Sequence, residues 1–162
     1  KSETKRAASM TYSAAVIGLG NIGLGYDYQD SSGERLLTHA NSFFHHKSFR
    51  LIGGVDSSEK NRKRFEDKFQ IPSFSTVDEL MGKIKPDVFS IAVPTEVHHK
   101  IFFETIRSNP KAIICEKPIS SNLQEAIEMN DAAKRENCAL LVNYMRRFEP
   151  GHLMLKKTKA VK

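Results

Sequence analysis

Short apolar runs alternate with longer amphipathic stretches along most of this 162-residue chain. An apolar run such as residues 14–17, Ala-Ala-Val-Ile, is typical of a parallel strand that is covered on both faces. A stretch with apolar residues three or four positions apart, such as residues 58–69, predicts an amphipathic helix. The strand-then-helix order repeats, which predicts an α/β fold with a doubly wound parallel sheet of the Rossmann type. The predicted strands are residues 14–17, 51–55, 71–74, 88–93, 111–115 and 139–142.

The predicted helices lie between these strands, at residues 38–46, 58–69, 76–84, a segment ending at 107, and 122–137. Residues 24–37 carry turn residues without a clear period, which predicts a loop inserted into the first crossover at the ligand end of the sheet. Side chains three or four positions apart share one helix face. The residues expected to point into the core are Ala40, Phe43 and Phe44, then Phe65 and Phe69, then Leu123, Ala126, Ile127, Met129 and Ala133.

A glycine-rich turn follows the first predicted strand. Gly18, Gly20 and Gly23 have the G-x-G-x-x-G spacing. The first glycine allows a tight turn, the second lets the backbone approach a pyrophosphate, and the third lets the next helix pack closely on the strand. Asn21 and Ile22 lie at the predicted helix start, where free N–H groups and the helix dipole favour a phosphate. The five residues predict a dinucleotide site, although such a spacing alone is a weak signal.

An acidic residue, Asp56, ends the second predicted strand. A carboxylate at this position can accept hydrogen bonds from both hydroxyls of an adenosine ribose and repels a 2′-phosphate. Its separation from the glycines exceeds the usual spacing of about 20 residues, and the insertion at 24–37 accounts for the excess. NADP stays open because Ser57, Lys60 and Arg62 lie nearby, and the alternative role of Asp56 is to cap the next helix.

Polar residues also follow the later predicted strands. Ligands in this architecture bind outside the carboxyl ends of the strands, so these side chains should meet at one rim. The residues expected there, besides the glycines and Asp56, are Pro94, Thr95, His98, Glu116, Lys117, Asn143 and Arg147.

Composition and charge exclude several function classes. The chain is 40% hydrophobic and 27% charged, as in ordinary globular proteins, and contains no apolar run near the roughly 20 residues of a membrane span. The net charge is +6, but the excess lies mostly at the two ends and is mixed with acids elsewhere, which disfavours nucleic-acid binding. Cys115 and Cys138 fall in apolar runs, which favours small core residues in a reducing, cytoplasmic environment and predicts neither a disulfide nor a metal site.

The order of these motifs resembles the N-terminal half of the Gfo/Idh/MocA family of sugar and inositol oxidoreductases. The resemblance rests on the glycine motif, Pro94-Thr95-x-x-His98, Glu116-Lys117-Pro118 and the stretch from Asn143 to Arg147-Phe148. We therefore expect residues 1–12 to be a disordered leader or a cloning remnant, since they carry no apolar signal-peptide region. Residues 13–150 should form the dinucleotide-binding domain and 151–162 the start of a linker. The family's C-terminal sheet domain is expected to be absent.

The resemblance implies hydride transfer between the nicotinamide of NAD, with NADP as the alternative, and an alcohol carbon of a sugar, inositol or nucleotide sugar. It places Lys117 beside nicotinamide and substrate, where it polarises the reacting oxygen or relays a proton. His98 is implied to line the site, Glu116 to orient the cofactor side or offset charge, and Pro118 to follow a cis bond. The alternatives are a surface lysine in a turn and a plain helix-start histidine. No such support exists for His39, His45, His46 and His99, which are expected to be surface or helix residues.

Other classes of function stay open at this point. Because the family's second half supplies an acid/base histidine, this polypeptide alone is not expected to complete turnover, and any homo-oligomer is expected to form through that half. The expected partner is a small sugar-like substrate, without nucleic acid or membrane. A dinucleotide-sensing regulator without turnover is the alternative, against which the intact Glu116-Lys117 pair argues mildly. A short-chain dehydrogenase is disfavoured because the sequence has no Tyr-x-x-x-Lys pair.

Overall fold

A computed structural model describes residues 11–30, 32–33 and 36–157 of the chain. The predicted leader up to residue 10, residues 31, 34 and 35 of the predicted insertion, and the predicted linker from residue 158 lie outside the described residues. The strands are β1 (Tyr12–Ile17), β2 (Phe49–Val55), β3 (Ser73–Phe74), β4 (Val88–Ile91), β5 (Ala112–Cys115) and β6 (Ala139–Val142). β1 thus begins one residue before the predicted domain boundary at 13.

The strands form one parallel sheet in the order β3-β2-β1-β4-β5-β6, so the predicted doubly wound α/β fold is confirmed. Alternate residues of β1 enter two different cores: Ala14 and Val16 belong to one, Ala15 and Ile17 to the other. Both faces of the central strand are therefore covered, which is why its sequence is continuously apolar. The reversal of strand order at β1 and β4 places a topological switch point at the middle of the sheet.

The helices are α1 (His39–His45), α2 (Glu59–Phe69), α3 (Val77–Met81), α4 (His98–Ile106), α5 (Leu123–Arg135) and α6 (Pro150–Lys157). Four of them begin directly after a side chain that accepts a hydrogen bond from the N–H three residues on, which is the usual N-cap arrangement. These caps are Thr38, Ser58, Thr76 and Asn122. In the described part of the chain, no helix is long and apolar enough to cross a membrane.

Three of the expected core residues are exposed. Leu123 and Ile127 on α5 are 75% and 44% exposed, and Phe44 on α1 is 48% exposed. The buried stripe of α5 is formed instead by Met129 with Ala132 and Ala133. At 100° per residue, Ile127 lies roughly 160° around the helix from Met129, so the two cannot face the same core. The other expected positions with a clear outcome, such as Phe65 on α2, are buried.

The segment after the glycine motif forms only one π-helical turn, Asn21–Gly25, before an irregular stretch that leads to α1. The described residues between 26 and 38 form no helix or strand, as predicted for the insertion. Its two ends are held together by Asp27, whose buried carboxylate accepts hydrogen bonds from the N–H groups of Leu37 and Thr38 at 2.7 and 3.0 Å and from Thr38 Oγ1 at 2.6 Å. The insertion is therefore anchored at its base.

Candidate functional site

One row of paired residues sets the carboxyl edge of the sheet. Ile17 of β1 pairs with Val55 on one side and with Ile91 on the other. Cys115 of β5 pairs with Ile91 and with Val142 of β6. Because the register is aligned across these five strands, the next residue of each strand must reach the same edge.

The residues directly after this row continue the ladder by one hydrogen bond each. The N–H of Gly18 donates to Val55 O at 2.8 Å, and the N–H of Glu116 donates to Ile91 O at 3.0 Å. The N–H of Asn143 donates to Cys115 O at 2.8 Å. From β2 to β6, the rim consists of Asp56, Gly18, Ala92, Glu116 and Asn143. All of these except Ala92 are sequence-predicted site residues, so the structure brings four of them onto one edge.

The three motif glycines have three different surroundings. Gly18 has φ of +92°, and a Cβ there would lie 2.5 Å from the carbonyl oxygen of Ala92. A Cβ on Gly23 would overlap the carbonyl oxygen of Gly18, so the turn can pack on the strand only without a side chain. A Cβ on Gly20 would meet no atom within 4 Å, and Gly20 faces solvent at the rim together with Asn21 and Ile22. Gly20 therefore leaves space in which a ligand can approach the backbone.

Asp56 connects the glycine turn to the start of α2. Its Oδ2 accepts hydrogen bonds from the N–H of Leu19 at 2.8 Å and from Asn61 Nδ2 at 3.2 Å, and its Oδ1 accepts from the N–H of Ser58 at 2.8 Å. The helix cap itself is Ser58, so Asp56 supports the helix start without being its cap. A carboxylate offers about four acceptor positions, which leaves one on Oδ1 for a ligand. Arg62 Nη1 donates to the carbonyl oxygens of Asp56 and Ser57 at 2.8 and 3.0 Å.

A cavity of about 550 Å³ opens between the glycine turn and the segment after β4. Its lining includes Gly18, Gly20, Asp56, Ser57 and Pro94. This volume lies within the usual range for small-molecule and cofactor sites. A larger open groove of about 1090 Å³ lies on the helical surface, but its lining includes no predicted site residue. Two ion pairs lie within that lining, Arg107 with Asp78 at 3.0 Å and Lys100 with Glu104 at 3.8 Å.

A buried polar cluster surrounds Glu116 at the other half of the rim. His39 Nε2 lies 2.9 Å from Glu116 Oε1, and Asn143 Nδ2 donates to the same oxygen at 2.6 Å. The side chains of His39 and Glu116 are only 11% and 13% exposed. Burial acts to raise the pKa of Glu116, but the hydrogen bonds from His39 and Asn143 outweigh it and hold the pKa below its usual value. The carboxylate is therefore stabilised as an anion.

His39 is a helix residue, as expected, but sequence reasoning did not predict its contact with Glu116. It is the first residue of α1, and α1 starts at the rim because the insertion returns the chain there. No spacing rule connects a histidine after an irregular insertion to a strand end far along the chain. The only available signal was its place directly after the cap residue of a helix in the first crossover.

His98 is not among the residues that line the cavity, and the site role that the resemblance implies for it stays a prediction. Its side chain is buried, with the residue only 1% exposed. Nδ1 lies 3.0 Å from Pro118 O, and Nε2 lies 2.9 Å from Val93 O. The ring links the segment after β4 to the turn after β5, and both of its nitrogens face backbone carbonyls. The Lys117–Pro118 peptide bond is cis, as the resemblance implied.

The remaining predicted site residues lie in short segments after the strands. Lys117 follows Glu116 and is exposed. Thr95 begins a 3₁₀ turn, Thr95–Val97, directly after Pro94. Arg147 is exposed in the 3₁₀ turn Met145–Phe148 that follows β6. All of them follow carboxyl ends of strands, and the roles assigned to them stay predictions.

Comparison with known proteins identifies the domain. Residues 12–144 match a sequence model for the family GFO_IDH_MocA, described as "Oxidoreductase family, NAD-binding Rossmann fold". Glucose-6-phosphate 3-dehydrogenase of Bacillus subtilis is 31% identical over 97 residues, which are 60% of this chain and 27% of that protein. Inositol 2-dehydrogenase of Rubrobacter xylanophilus is 28% identical over 112 residues, 68% of this chain and 29% of that protein.

Solved structures with the same fold are similar over most of this chain. The WlbA dehydrogenase of Bordetella pertussis, in complex with NADH and UDP-GlcNAcA, superposes with a TM-score of 0.78 at 17% identity. The match covers 91% of this chain and 41% of that one. The chain thus spans about a quarter of the length of the two curated relatives and less than half of the solved structure.

Proposed function

Because the chain belongs to the Gfo/Idh/MocA oxidoreductase family and matches its NAD-binding Rossmann domain, we propose that it binds NAD and serves hydride transfer at an alcohol carbon. The substrate class we propose is a sugar, inositol or nucleotide sugar, because the relatives named above act on glucose 6-phosphate and inositol. The single observation that carries the proposal is the rim, where the glycine turn, Asp56 and the Glu116-Lys117 pair follow register-aligned strand ends.

The glycine turn fits the pyrophosphate of a dinucleotide. Gly20 is solvent-exposed, and the space where its side chain would lie is open. The first N–H groups of the following turn have no partners within that turn and carry a partial positive charge. These features favour a phosphate at the mouth of the turn.

Asp56 favours NAD over NADP. Its remaining Oδ1 acceptor position suits a ribose hydroxyl, and its negative charge opposes a 2′-phosphate. Arg62, the nearest candidate for a 2′-phosphate, already uses Nη1 to hold the carbonyl oxygens of Asp56 and Ser57. We therefore propose NAD as the preferred cofactor.

Lys117 is the proposed catalytic residue on this domain. When bound, the cofactor supplies or accepts the hydride at its nicotinamide ring. In the direction of reduction, the Lys117 ammonium donates a hydrogen bond to the carbonyl oxygen and delivers a proton from Nζ as the alcohol forms; oxidation returns that proton. Glu116, fixed by His39 and Asn143, holds the turn that carries Lys117.

Binding is tested by calorimetry of this chain with NADH and NADPH. We expect micromolar binding of NADH and weaker binding of NADPH. Gly20→Ala should weaken NADH binding at least about tenfold, because it places a methyl group where the pyrophosphate approaches. Gly151→Ala is the matched control, because a Cβ on Gly151 also meets no atom within 4 Å, and Gly151 lies in α6 and is not among the residues that line the cavity.

Turnover is tested by following NADH absorbance with a panel of sugars and inositols. Lys117→Met should abolish turnover in the protein that carries both halves of the family architecture, and turnover is measured at saturating NADH. Dinucleotide binding without any turnover by the protein that carries both halves would instead favour the alternative function, a dinucleotide-sensing regulator. A folded chain that binds neither dinucleotide would overturn the proposal.

A further inference from the structure

The contact between His39 and Glu116 joins segments that are far apart in the sequence. Glu116 Oε1 receives both His39 Nε2 from the start of α1 and Asn143 Nδ2 from the end of β6. Among the described residues, Glu116 Oε2 accepts the N–H of Lys117, at 3.3 Å. Since a carboxylate only accepts hydrogen bonds, Nε2 of His39 must carry the hydrogen. The carboxylate therefore holds together the first crossover and the ends of β5 and β6.

The insertion determines where His39 lies. The buried carboxylate of Asp27 binds the backbone of Leu37 and Thr38 and the Thr38 hydroxyl, and Thr38 caps α1. The carbonyl oxygen of Asp27 also accepts from Asn41 Nδ2 at 3.3 Å. The residue after Thr38 is His39, so the start of the helix and the direction of its first side chain depend on Asp27.

A second anchor attaches the insertion to α2. Lys68 Nζ donates to the carbonyl oxygens of Tyr28 and Asp30 at 2.7 and 2.8 Å, and to Asp27 O at 3.3 Å. The Arg64 guanidinium lies 4.3 Å from the centre of the Tyr28 ring. The first part of the insertion is thus fixed by hydrogen bonds from Lys68 and by the contact of Tyr28 with Arg64, both on α2.

The strand order assigns this cluster to one half of the site. In a doubly wound sheet, the two nucleotides of a dinucleotide lie on opposite sides of the switch point. The glycine turn and Asp56 lie on the β1–β2 side, and Glu116 and Asn143 lie beyond β4 on the other side. The cluster therefore belongs to the nicotinamide half, where Lys117 also lies.

We propose that His39 is a positioning residue of the nicotinamide half, which holds the Glu116-Lys117 turn against the rim through Glu116 and is itself placed by the anchored insertion. This inference rests on the proposed dinucleotide function. It assigns the insertion a role in the site: it delivers the side chain that orders the turn bearing Lys117.

The test compares two ligands that share the adenosine, the pyrophosphate and the second ribose. NADH reports on both halves of the site, and ADP-ribose lacks the nicotinamide. We expect His39→Ala to weaken NADH binding about tenfold, because the Glu116-Lys117 turn is then no longer held in place before NADH binds, and to leave ADP-ribose affinity within about twofold. His39→Gln, which keeps an N–H donor, should recover part of the loss. The emission of bound NADH gives a second readout, because the chain has no tryptophan.

His99→Ala is the matched control. His99 Nε2 also lies 2.9 Å from a glutamate oxygen, that of Glu128, but this pair lies on the helical surface with side chains 31% and 45% exposed. We expect no change in either affinity. His39→Ala and Glu116→Ala should be non-additive for NADH, because each removes the contact between His39 and Glu116.

The outcomes separate the two proposals. Equal weakening of NADH and ADP-ribose binding by His39→Ala, or additive effects of His39→Ala and Glu116→Ala, would overturn the positioning role and leave the dinucleotide function intact. A wild-type chain that binds neither ligand would overturn the proposed function and this inference with it. Urea unfolding of each variant identifies losses that are due to unfolding.

Discussion

Steric surroundings distinguish the glycines of this chain at the scale of single residues. Gly23 is in contact with the Gly18 carbonyl, whereas Gly20 faces open space. Gly23→Ala should therefore destabilise the domain by about 1–3 kcal/mol, because the turn must move away from the strand to make room for the methyl group. Gly20→Ala should leave stability within about 0.5 kcal/mol. Urea unfolding measures both, and equal stability of the two variants would contradict the packing role of Gly23.

The Glu116 carboxylate should make stability depend on pH. Its pKa in the fold lies below the usual value of 4.5, since hydrogen bonds from His39 and Asn143 outweigh burial. The stability it contributes is therefore fully present above the unfolded pKa and is lost as the pH falls through the folded value. Glu116→Gln should be less stable than wild type at about pH 6, and the difference should shrink towards about pH 3.5.

A surface glutamate provides the comparison for this pH dependence. The pKa of Glu128 is also lowered, first by its hydrogen bond to Gln124 and then by that to His99, but Glu128 is exposed to solvent. Water and salt screen such a pair, so Glu128→Gln should change the stability profile much less. A constant difference between wild type and Glu116→Gln over the same pH range would contradict the stabilised anion.

The two histidines show what could be predicted about the site from sequence. The strand-end rule correctly located Glu116 and Asn143, because parallel register makes the position of a strand-end residue a property of the sheet. The rule could not predict the orientation of side chains that lie beyond the strand ends, at the starts of the following helices. His98 is directed inwards by two carbonyl oxygens, and His39 outwards to Glu116, through contacts with residues distant in sequence.

At the scale of elements, periodicity predicted where helices lie but not always which face they bury. α5 carries large apolar residues on two sides, and the small side chains of Ala132 and Ala133 mark the side that packs. A buried stripe of alanines allows close approach to the sheet, so hydrophobicity alone selects the wrong face. Boundaries were more accurate, because residues such as Thr38 and Asn122 cap their helices through their own side chains.

The anchor of the insertion on α2 makes a prediction about local order. Lys68 satisfies three carbonyl oxygens, and a methionine keeps most of its length without the charge. Lys68→Met should leave those carbonyls exposed and raise amide hydrogen exchange in peptides covering residues 26–37. Lys63→Met is the control, since Lys63 lies on the same helix and, in the part of the chain that the structure describes, pairs with Asp67 at 3.7 Å. Equal exchange in both variants would contradict the anchor.

At the scale of the whole molecule, the candidate site and a residue that stabilises the sheet lie at opposite edges of that sheet. The carboxyl edge carries the candidate site, whereas Asp87 acts at the opposite edge. Asp87 Oδ2 accepts hydrogen bonds from the N–H and hydroxyl of Ser13 at 2.9 and 2.7 Å, which ties the start of β1 to the start of β4. These hydrogen bonds, with the hydroxyl first, hold the pKa of Asp87 below its usual value. Its contribution to stability is thus present at neutral pH and lost as the pH falls.

This separation predicts that stability and ligand binding can be changed independently. A ligand that binds only the folded state stabilises it by about 2.7 kcal/mol at 100 times its dissociation constant. Asp87→Asn should lower the melting temperature, through a loss of roughly 1 kcal/mol, and keep the increment produced by NADH. Gly20→Ala should have the melting temperature of the wild type without ligand, and NADH should no longer raise that temperature. A thermal melt of each variant with and without NADH measures all four values, and an Asp87→Asn variant that loses the increment would show that the two edges are coupled through the sheet.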